Sequence, residues 1–96
     1  MRSVVAAAIG LASIAAATVA SAEPPAGAVS CSGCHPASTR VTSPVPRLAG
    51  RDQAAIVKAM QDFRSGQRAA TVMDRIAKGF TDEEVQAIAA WYATQK

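Results

Sequence analysis

The chain contains the stretch Cys31-Ser32-Gly33-Cys34-His35, which has the form C-x-x-C-H. The whole sequence has two cysteines and one histidine, and all three lie within these five residues. Any function that needs a thiol or an imidazole is therefore built here, and the rest of the fold has to present this stretch.

A C-x-x-C-H run is the attachment signal for c-type haem. Its spacing lets the two thiols add to the two vinyl groups of one porphyrin, so Cys31 and Cys34 are expected to hold the group covalently. The adjacent His35 is placed to bind the iron as proximal ligand. The expected cofactor is one covalent haem c.

Three other uses of the cysteine pair fit less well. A structural zinc site usually takes four Cys and His ligands in two separated pairs, whereas this chain has three such residues in one cluster. A thioredoxin-like C-x-x-C requires a βαβ setting, and the sequence has no convincing strand pattern. A structural disulfide would close only a small loop and leave His35 unused.

Residues 1–22 have the composition of a secretory signal peptide. They begin with Met1 and Arg2, continue as an uncharged apolar segment and end in A-S-A at Ala22. This pattern predicts cleavage between Ala22 and Glu23 and a periplasmic location. The competing interpretation is an uncleaved anchor, because the run approaches the ~20 residues that span a bilayer, although much of it is weakly apolar alanine.

The composition sets limits on partners. The segment 1–22 inflates the hydrophobic content of 50%, so this value does not indicate a membrane protein, and we expect no membrane span after cleavage. Ten Lys and Arg residues oppose seven Asp and Glu, for a formal net charge of +3. Such a mild excess is not the strongly basic patch typical of nucleic-acid binding, so no nucleic-acid partner is expected.

Residues 23–96 are expected to form a single all-α domain without internal repeats. The whole chain has one Trp, one Tyr and two Phe residues from which to build a core. Domains this small rarely gain more than ~3–5 kcal/mol from their own core. A buried haem would add the missing apolar volume.

The sequence pattern predicts four helical segments. They are a short helix over 28–35 interrupted by Pro36, a helix over 51–65, a brief helical turn over 71–78 and a helix over 81–94. Residues 37–50 are rich in Ser, Thr, Pro and Gly and are expected to form a loop.

Capping signals define the ends of these segments. Asp52 is a candidate N-cap for the helix over 51–65, and Gly66 is expected to end it. Thr71 with Asp74, and Thr81 with Glu84, have the spacing of capping boxes. Asp74 is also expected to pair with Lys78, because residues four apart face each other on a helix.

The residues favour Met73 as the second iron ligand but leave other arrangements open. Met60 lies on the apolar face of the helix over 51–65, where a thioether usually serves as packing. Met73 lies in a short segment between two helices, which brings a thioether to a metal more easily. A lysine ligand and an open sixth site are the alternatives. His/Met ligation would raise the reduction potential and favour electron transfer over oxygen chemistry at the iron.

Several features together resemble a class I c-type cytochrome over residues 28–96. They are C-S-G-C-H, the segment P-R-L-A-G at 46–50, Met73 and a final amphipathic helix with an aromatic pair. The resemblance implies a small bundle of helices wrapped around one covalently bound haem. It also implies that the first and last helices cross at an aromatic residue, for which Trp91 is the best match and Tyr92 the alternative.

The same resemblance implies roles for two residues after the haem motif. The carbonyl of Pro46 would accept a hydrogen bond from Nδ1 of His35, which fixes the tautomer and orientation of the imidazole. Leu48 would pack on the haem.

A narrower likeness concerns F-R-S-G at 63–66 and T-V-M-D-R-I-A-K-G-F at 71–80. These segments are similar to the cytochrome subunit of flavocytochrome c sulfide dehydrogenase. That likeness implies an FAD-containing flavoprotein subunit as electron donor, sulfide oxidation as the overall reaction and a downstream carrier as acceptor. The chain would not be catalytic alone. Some members of that family have two haem domains, whereas this chain has one C-x-x-C-H.

Two other functions remain open at this stage. One is a free-standing soluble cytochrome c that shuttles electrons between respiratory or photosynthetic complexes. The other is a haem enzyme or gas sensor with an open sixth site. Basic residues in the middle of the chain either steer an acidic partner or form an ordinary solvated surface; they are Arg47, Arg51, Lys58, Arg64, Arg68, Arg75 and Lys78.

Overall fold

The computed structural model of the chain describes residues 3–13, 15 and 23–96. Four helices lie in the last of these ranges: α1 (Ala28–Cys31), α2 (Gln53–Ser65), α3 (Met73–Ala77) and α4 (Asp82–Thr94). No strand occurs in the described residues, so the predicted all-α class is confirmed.

Residues 3–13 form no part of this helical unit. Residues 3–13 have no regular secondary structure, and their larger apolar side chains, such as Ile9 and Leu11, are exposed. The predicted cleavage site at Ala22 lies outside the described residues. In the part of the chain that is described, no helix is long and apolar enough to cross a membrane.

Helix α2 has the ends that its sequence predicts, displaced slightly at the start. It begins at Gln53 rather than Arg51, because Asp52 is the N-cap and its carboxylate accepts a hydrogen bond from the backbone N–H of Ala55 at 3.0 Å. It ends at Gly66, whose φ of 81° is left-handed backbone that a side chain would strain.

Helix α4 begins with the predicted capping box. The hydroxyl of Thr81 accepts from the N–H of Glu84 at 3.1 Å, and the carboxylate of Glu84 accepts from the N–H of Thr81 at 3.0 Å. Since these bonds favour the ionised carboxylate, they lower the pKa of Glu84, the backbone bond at Thr81 contributing most.

Helix α3 departs from its prediction. It begins after Val72, which provides no side-chain cap, so the predicted capping box of Thr71 and Asp74 is wrong. The predicted ion pair between Asp74 and Lys78 is also wrong, because Asp74 points inward and its Oδ1 is buried without a hydrogen-bond partner. The helix is therefore shorter than expected. It has no side-chain cap of its own and packs against α2.

Helix α1 is a single turn that continues as tight turns instead of reaching His35. The N–H groups of Ser32, Gly33 and Cys34 each bond to the carbonyl three residues earlier, at 3.1 to 3.2 Å. Such i→i−3 bonds tighten the chain beyond the α-helical pitch. The motif therefore lies at and just after the end of α1.

The core forms where α2 and α4 pack together and α1 joins them. The buried side chains of this cluster are Ala28, Ile56, Val57, Val85, Ile88, Ala89 and Tyr92. Five half-buried residues pack against it: Cys31, Leu48, Met60, Phe80 and Trp91. No large side chain among the described residues is fully buried, so the core is small.

Gly27, which precedes α1, has no room for a side chain. Its φ is 86°, and a Cβ at this position would lie 2.7 Å from the Phe80 ring. We expect Gly27→Ala to lower the free energy of unfolding by about 1–2 kcal/mol for the backbone and by at least ~1 kcal/mol more for the clash.

Gly66→Ala is the matched control, since Gly66 has a φ of 81° with nothing within 4 Å of a Cβ. Urea unfolding of the haem-loaded variants measures both losses. Equal losses in the free energy of unfolding would show that the contact with Phe80 adds nothing to the cost of Gly27→Ala.

Candidate haem-attachment site

His35 is oriented by a single strong hydrogen bond. Its Nδ1 lies 2.6 Å from the carbonyl oxygen of Pro46, as the resemblance implied. A carbonyl only accepts, so Nδ1 carries the proton and the lone pair of the neutral imidazole is on Nε2. Nε2 is thereby the atom available to a metal, and the bond to Pro46 fixes the orientation of the ring.

Hydrogen bonds from Arg47 and Gly50 hold the segment that carries Pro46. Nε of Arg47 donates to the carbonyl of Ala37 at 3.0 Å, which spans the loop that follows the motif. At the other end, the N–H of Gly50 donates to the carbonyl of Tyr92 at 2.9 Å. The acceptor for His35 is therefore held by α4 as well as by its own loop.

The two cysteines differ in their surroundings. Cys31 is half-buried against the core, whereas Cys34 is exposed, and both are free thiols. Burial raises the pKa of the Cys31 thiol, and hydrogen bonds from its own backbone and from Tyr92 offset part of the effect. Both thiols and the imidazole lie on one short stretch, which contacts the core through Cys31.

Tyr92 makes the contact between the first and last helices. Its hydroxyl donates to the carbonyl of Ala28 at 2.6 Å and lies 3.0 Å from the hydroxyl of Ser32. Trp91 only packs against the core from its edge, with its ring perpendicular to that of Tyr92. The preference for Trp91 at this position was therefore wrong, because the buried stripe of α4 passes through Ile88, Ala89 and Tyr92.

The two methionines occupy different places. Met60 packs against the core on the same face of α2 as Ile56. Met73 is the first residue of α3, is half-buried and lies outside the core cluster. Its thioether is therefore not committed to the packing that holds α2 against α4.

The residues present fit a c-type haem. Two unpaired thiols adjoin an imidazole whose Nε2 lone pair is free, and Cys31 packs against the apolar side chains of the core. Thiols that form thioethers, an imidazole ligand and an apolar lining are what a covalently held haem requires.

Comparison with known proteins identifies the family. No protein-family model matches the chain. It is 31% identical to cytochrome c-554(548) of Halomonas halodenitrificans over 70 residues, which cover 69% of this chain and 84% of that protein. It is 41% identical over 64 residues to the cytochrome subunit of sulfide dehydrogenase of Chlorobaculum tepidum, covering 67% and 58% respectively. It is 33% identical over 89 residues to cytochrome c4 of Pseudomonas aeruginosa, covering 92% and 44%.

The chain belongs to the cytochrome c family, and its cofactor is covalently bound haem c. It spans a little over half of the sulfide dehydrogenase subunit and less than half of the cytochrome c4. Membership of this family supports a role in electron transfer.

Sequence reasoning assigned no role to Arg47, Ser32 or Gly27 in forming this site. The place of Arg47 directly after Pro46 was a usable signal, since a side chain there can reach back across the loop. Ser32 and Gly27 gave no signal, because their contacts are with Tyr92 and Phe80, which are distant in sequence.

We expect Tyr92→Phe to lower the free energy of unfolding by about 1–3 kcal/mol, because it leaves the buried carbonyl of Ala28 without a donor. Ser32→Ala removes only the partner at an exposed position and is expected to cost no more than about 0.5 kcal/mol. Urea unfolding of the haem-loaded proteins measures both. Similar losses in the two variants would show that the bond to Ala28 does not hold α1 in place.

Proposed function

We propose that the chain is a periplasmic electron carrier in which Cys31 and Cys34 hold the haem and His35 and Met73 are its axial ligands. The bound haem would supply one-electron redox chemistry. The observation that carries the proposal is the 2.6 Å bond between Nδ1 of His35 and the carbonyl of Pro46, since it directs Nε2 to a metal.

The placement of Met73 supports a six-coordinate iron. Met73 is half-buried at the start of a short helix, and Met60, the other methionine of residues 23–96, packs against the core. A thioether ligand raises the reduction potential and leaves no position for oxygen or peroxide. In this proposal the protein relays electrons and does no catalysis at the iron, and Leu48 packs on the haem.

The same proposal places the mature protein at residues 23–96, a single cytochrome domain exported by the segment 1–22. The intact mass of the protein purified from the periplasm tests this directly. It should equal the chain that begins at Glu23 plus one haem.

An FAD-containing flavoprotein that oxidises sulfide is the electron donor that we propose. The relative from Chlorobaculum tepidum carries the name cytochrome subunit of sulfide dehydrogenase. The two segments that carried the narrower likeness, 63–66 and 71–80, meet in the structure, where Arg64 bonds to the carbonyl of Phe80. The two segments are therefore neighbours in the fold, which supports a shared role.

Met73→Ala tests the ligand assignment. The ferric wild-type protein should show a Met–Fe absorption band, and the ferrous protein should react slowly with carbon monoxide. In Met73→Ala the band should disappear and the reaction should become fast, whereas Met60→Leu, which conserves volume, should behave as wild type. A fast reaction and no band in the wild type would favour a haem enzyme or gas sensor with an open sixth site.

Affinity purification of the tagged protein from its host's periplasm tests the partner. We expect a flavoprotein to copurify and the haem of the complex to become reduced when sulfide is added. A solitary monomer that is reduced only by a quinol-oxidising complex would replace this partner with the free-standing shuttle. Passage of electrons onward is measured with an added high-potential cytochrome as acceptor.

A further inference from the structure

Arg64, in the last turn of α2, joins that helix to the connection between α3 and α4. Its Nη2 donates to the carbonyl of Phe80 at 2.9 Å, and its Nη1 pairs with the carboxylate of Asp82. The Arg64 side chain is 31% exposed and that of Asp82 is 71% exposed, so the bond to the Phe80 carbonyl is the more protected of the two. The guanidinium thus makes one charge-assisted bond to backbone and one to a side chain.

Helix α3 is too short to be stable by itself and packs against α2. It has five residues, and an isolated helix of that length is unstable in water. Ala77 is its one buried residue, and Ile76 is 40% exposed. The position of Met73 at the start of this helix therefore depends on the packing against α2 and on what fixes the ends of the segment 67–80.

Both ends of the segment 67–80 attach to the last turns of α2. At its beginning, the N–H of Arg68 donates to the carbonyl of Asp62 at 3.1 Å, and its guanidinium lies 5.0 Å from the centre of the Phe63 ring. At its end, Arg64 binds the carbonyl of Phe80. The segment is a loop closed on α2 with α3 inside it.

Phe80 connects this closure to the core. Its ring packs against the core and against Gly27, which precedes α1, while its carbonyl accepts from Arg64. Displacement of the connection would therefore break a polar bond on one side and an apolar contact on the other.

We propose that Arg64 is a positioning residue for the sixth iron ligand: its bond to the Phe80 carbonyl closes the segment 67–80 on α2 and keeps Met73 in place. The proposal rests on Met73 being that ligand, as proposed above. Arg64 makes no hydrogen bond to the haem motif or to Met73, so in this proposal it acts through the segment that it closes.

The affinity of the ferric protein for imidazole tests this role, because imidazole binds only after Met73 has moved away. In Arg64→Gln we expect the affinity to rise by about tenfold, since opening the segment no longer breaks a charge-assisted bond; tenfold corresponds to about 1.4 kcal/mol. The Met–Fe band should weaken as well. Arg64→Lys keeps the charge at the end of α2 but has no fork to bind both acceptors, so its affinity should rise in the same direction by a smaller factor.

Lys58→Gln is the matched control. Lys58 lies on the same helix and pairs with Asp62 at 2.7 Å, but it makes no hydrogen bond to the connection between α3 and α4. Its imidazole affinity should equal that of the wild type. Urea unfolding of the same proteins separates general stability from the position of Met73.

An unchanged imidazole affinity in Arg64→Gln together with a lower unfolding midpoint would overturn the proposal and leave Arg64 as a structural residue. If Arg64→Gln does not retain haem, an unchanged imidazole affinity in Arg64→Lys overturns the proposal instead.

Met73→Ala shows whether the positioning role alone is wrong or the ligand assignment as well. If Met73→Ala binds imidazole more tightly and the Arg64 variants do not, only the positioning role is wrong. If Met73→Ala binds as the wild type does, the ligand assignment and the positioning role are both wrong.

Discussion

Tyr92 bonds to two segments that lie far from it in sequence and that together enclose the haem motif. Its hydroxyl donates to the carbonyl of Ala28 in α1, and its own carbonyl accepts from the N–H of Gly50. The first bond fixes the position of α1 and so of the cysteines at its end. The second fixes the segment that contains Pro46, whose carbonyl accepts from His35. A buried hydrogen bond of this kind is costly to break, because the buried group left without a partner has lost its bonds to water and gains none in return. The geometry of the motif thus depends on the last helix of the chain.

The helices divide into two long ones with strong local signals and two short ones without them. Helices α2 and α4 each have thirteen residues, a side-chain N-cap and an apolar stripe. Helices α1 and α3 have four and five residues, and neither has a side-chain cap. The short helices carry the residues proposed to bind the haem, since α1 ends in the haem motif and α3 begins at Met73. Each long helix makes a hydrogen bond near one of them: Tyr92 of α4 to Ala28 in α1, and Arg64 of α2 to Phe80, just after α3.

The sequence predicted local features well and long-range ones unevenly. The caps at Asp52 and Thr81 and the end at Gly66 were correct, because each depends only on neighbouring residues and on the backbone that they adopt. The cap and ion pair expected for Asp74 were wrong, because tertiary packing turned that carboxylate inward. Periodicity could not separate Trp91 from Tyr92 for a related reason: adjacent residues on a helix lie only about 100° apart, and small differences in helix rotation decide which one is buried.

The sequence alone determined the haem motif and the family, because the spacing of two thiols and an imidazole within five residues has a covalent and therefore local meaning. It also determined that the domain is helical and where its long helices begin and end. Only the tertiary structure decided that Tyr92 joins the first and last helices, that Arg64 closes the segment bearing Met73, and that Gly27 must leave room for Phe80. These contacts join residues that are sixteen to more than sixty positions apart, and no local periodicity or propensity encodes them. They exist only once α2 and α4 have packed and brought the remaining segments within hydrogen-bonding distance.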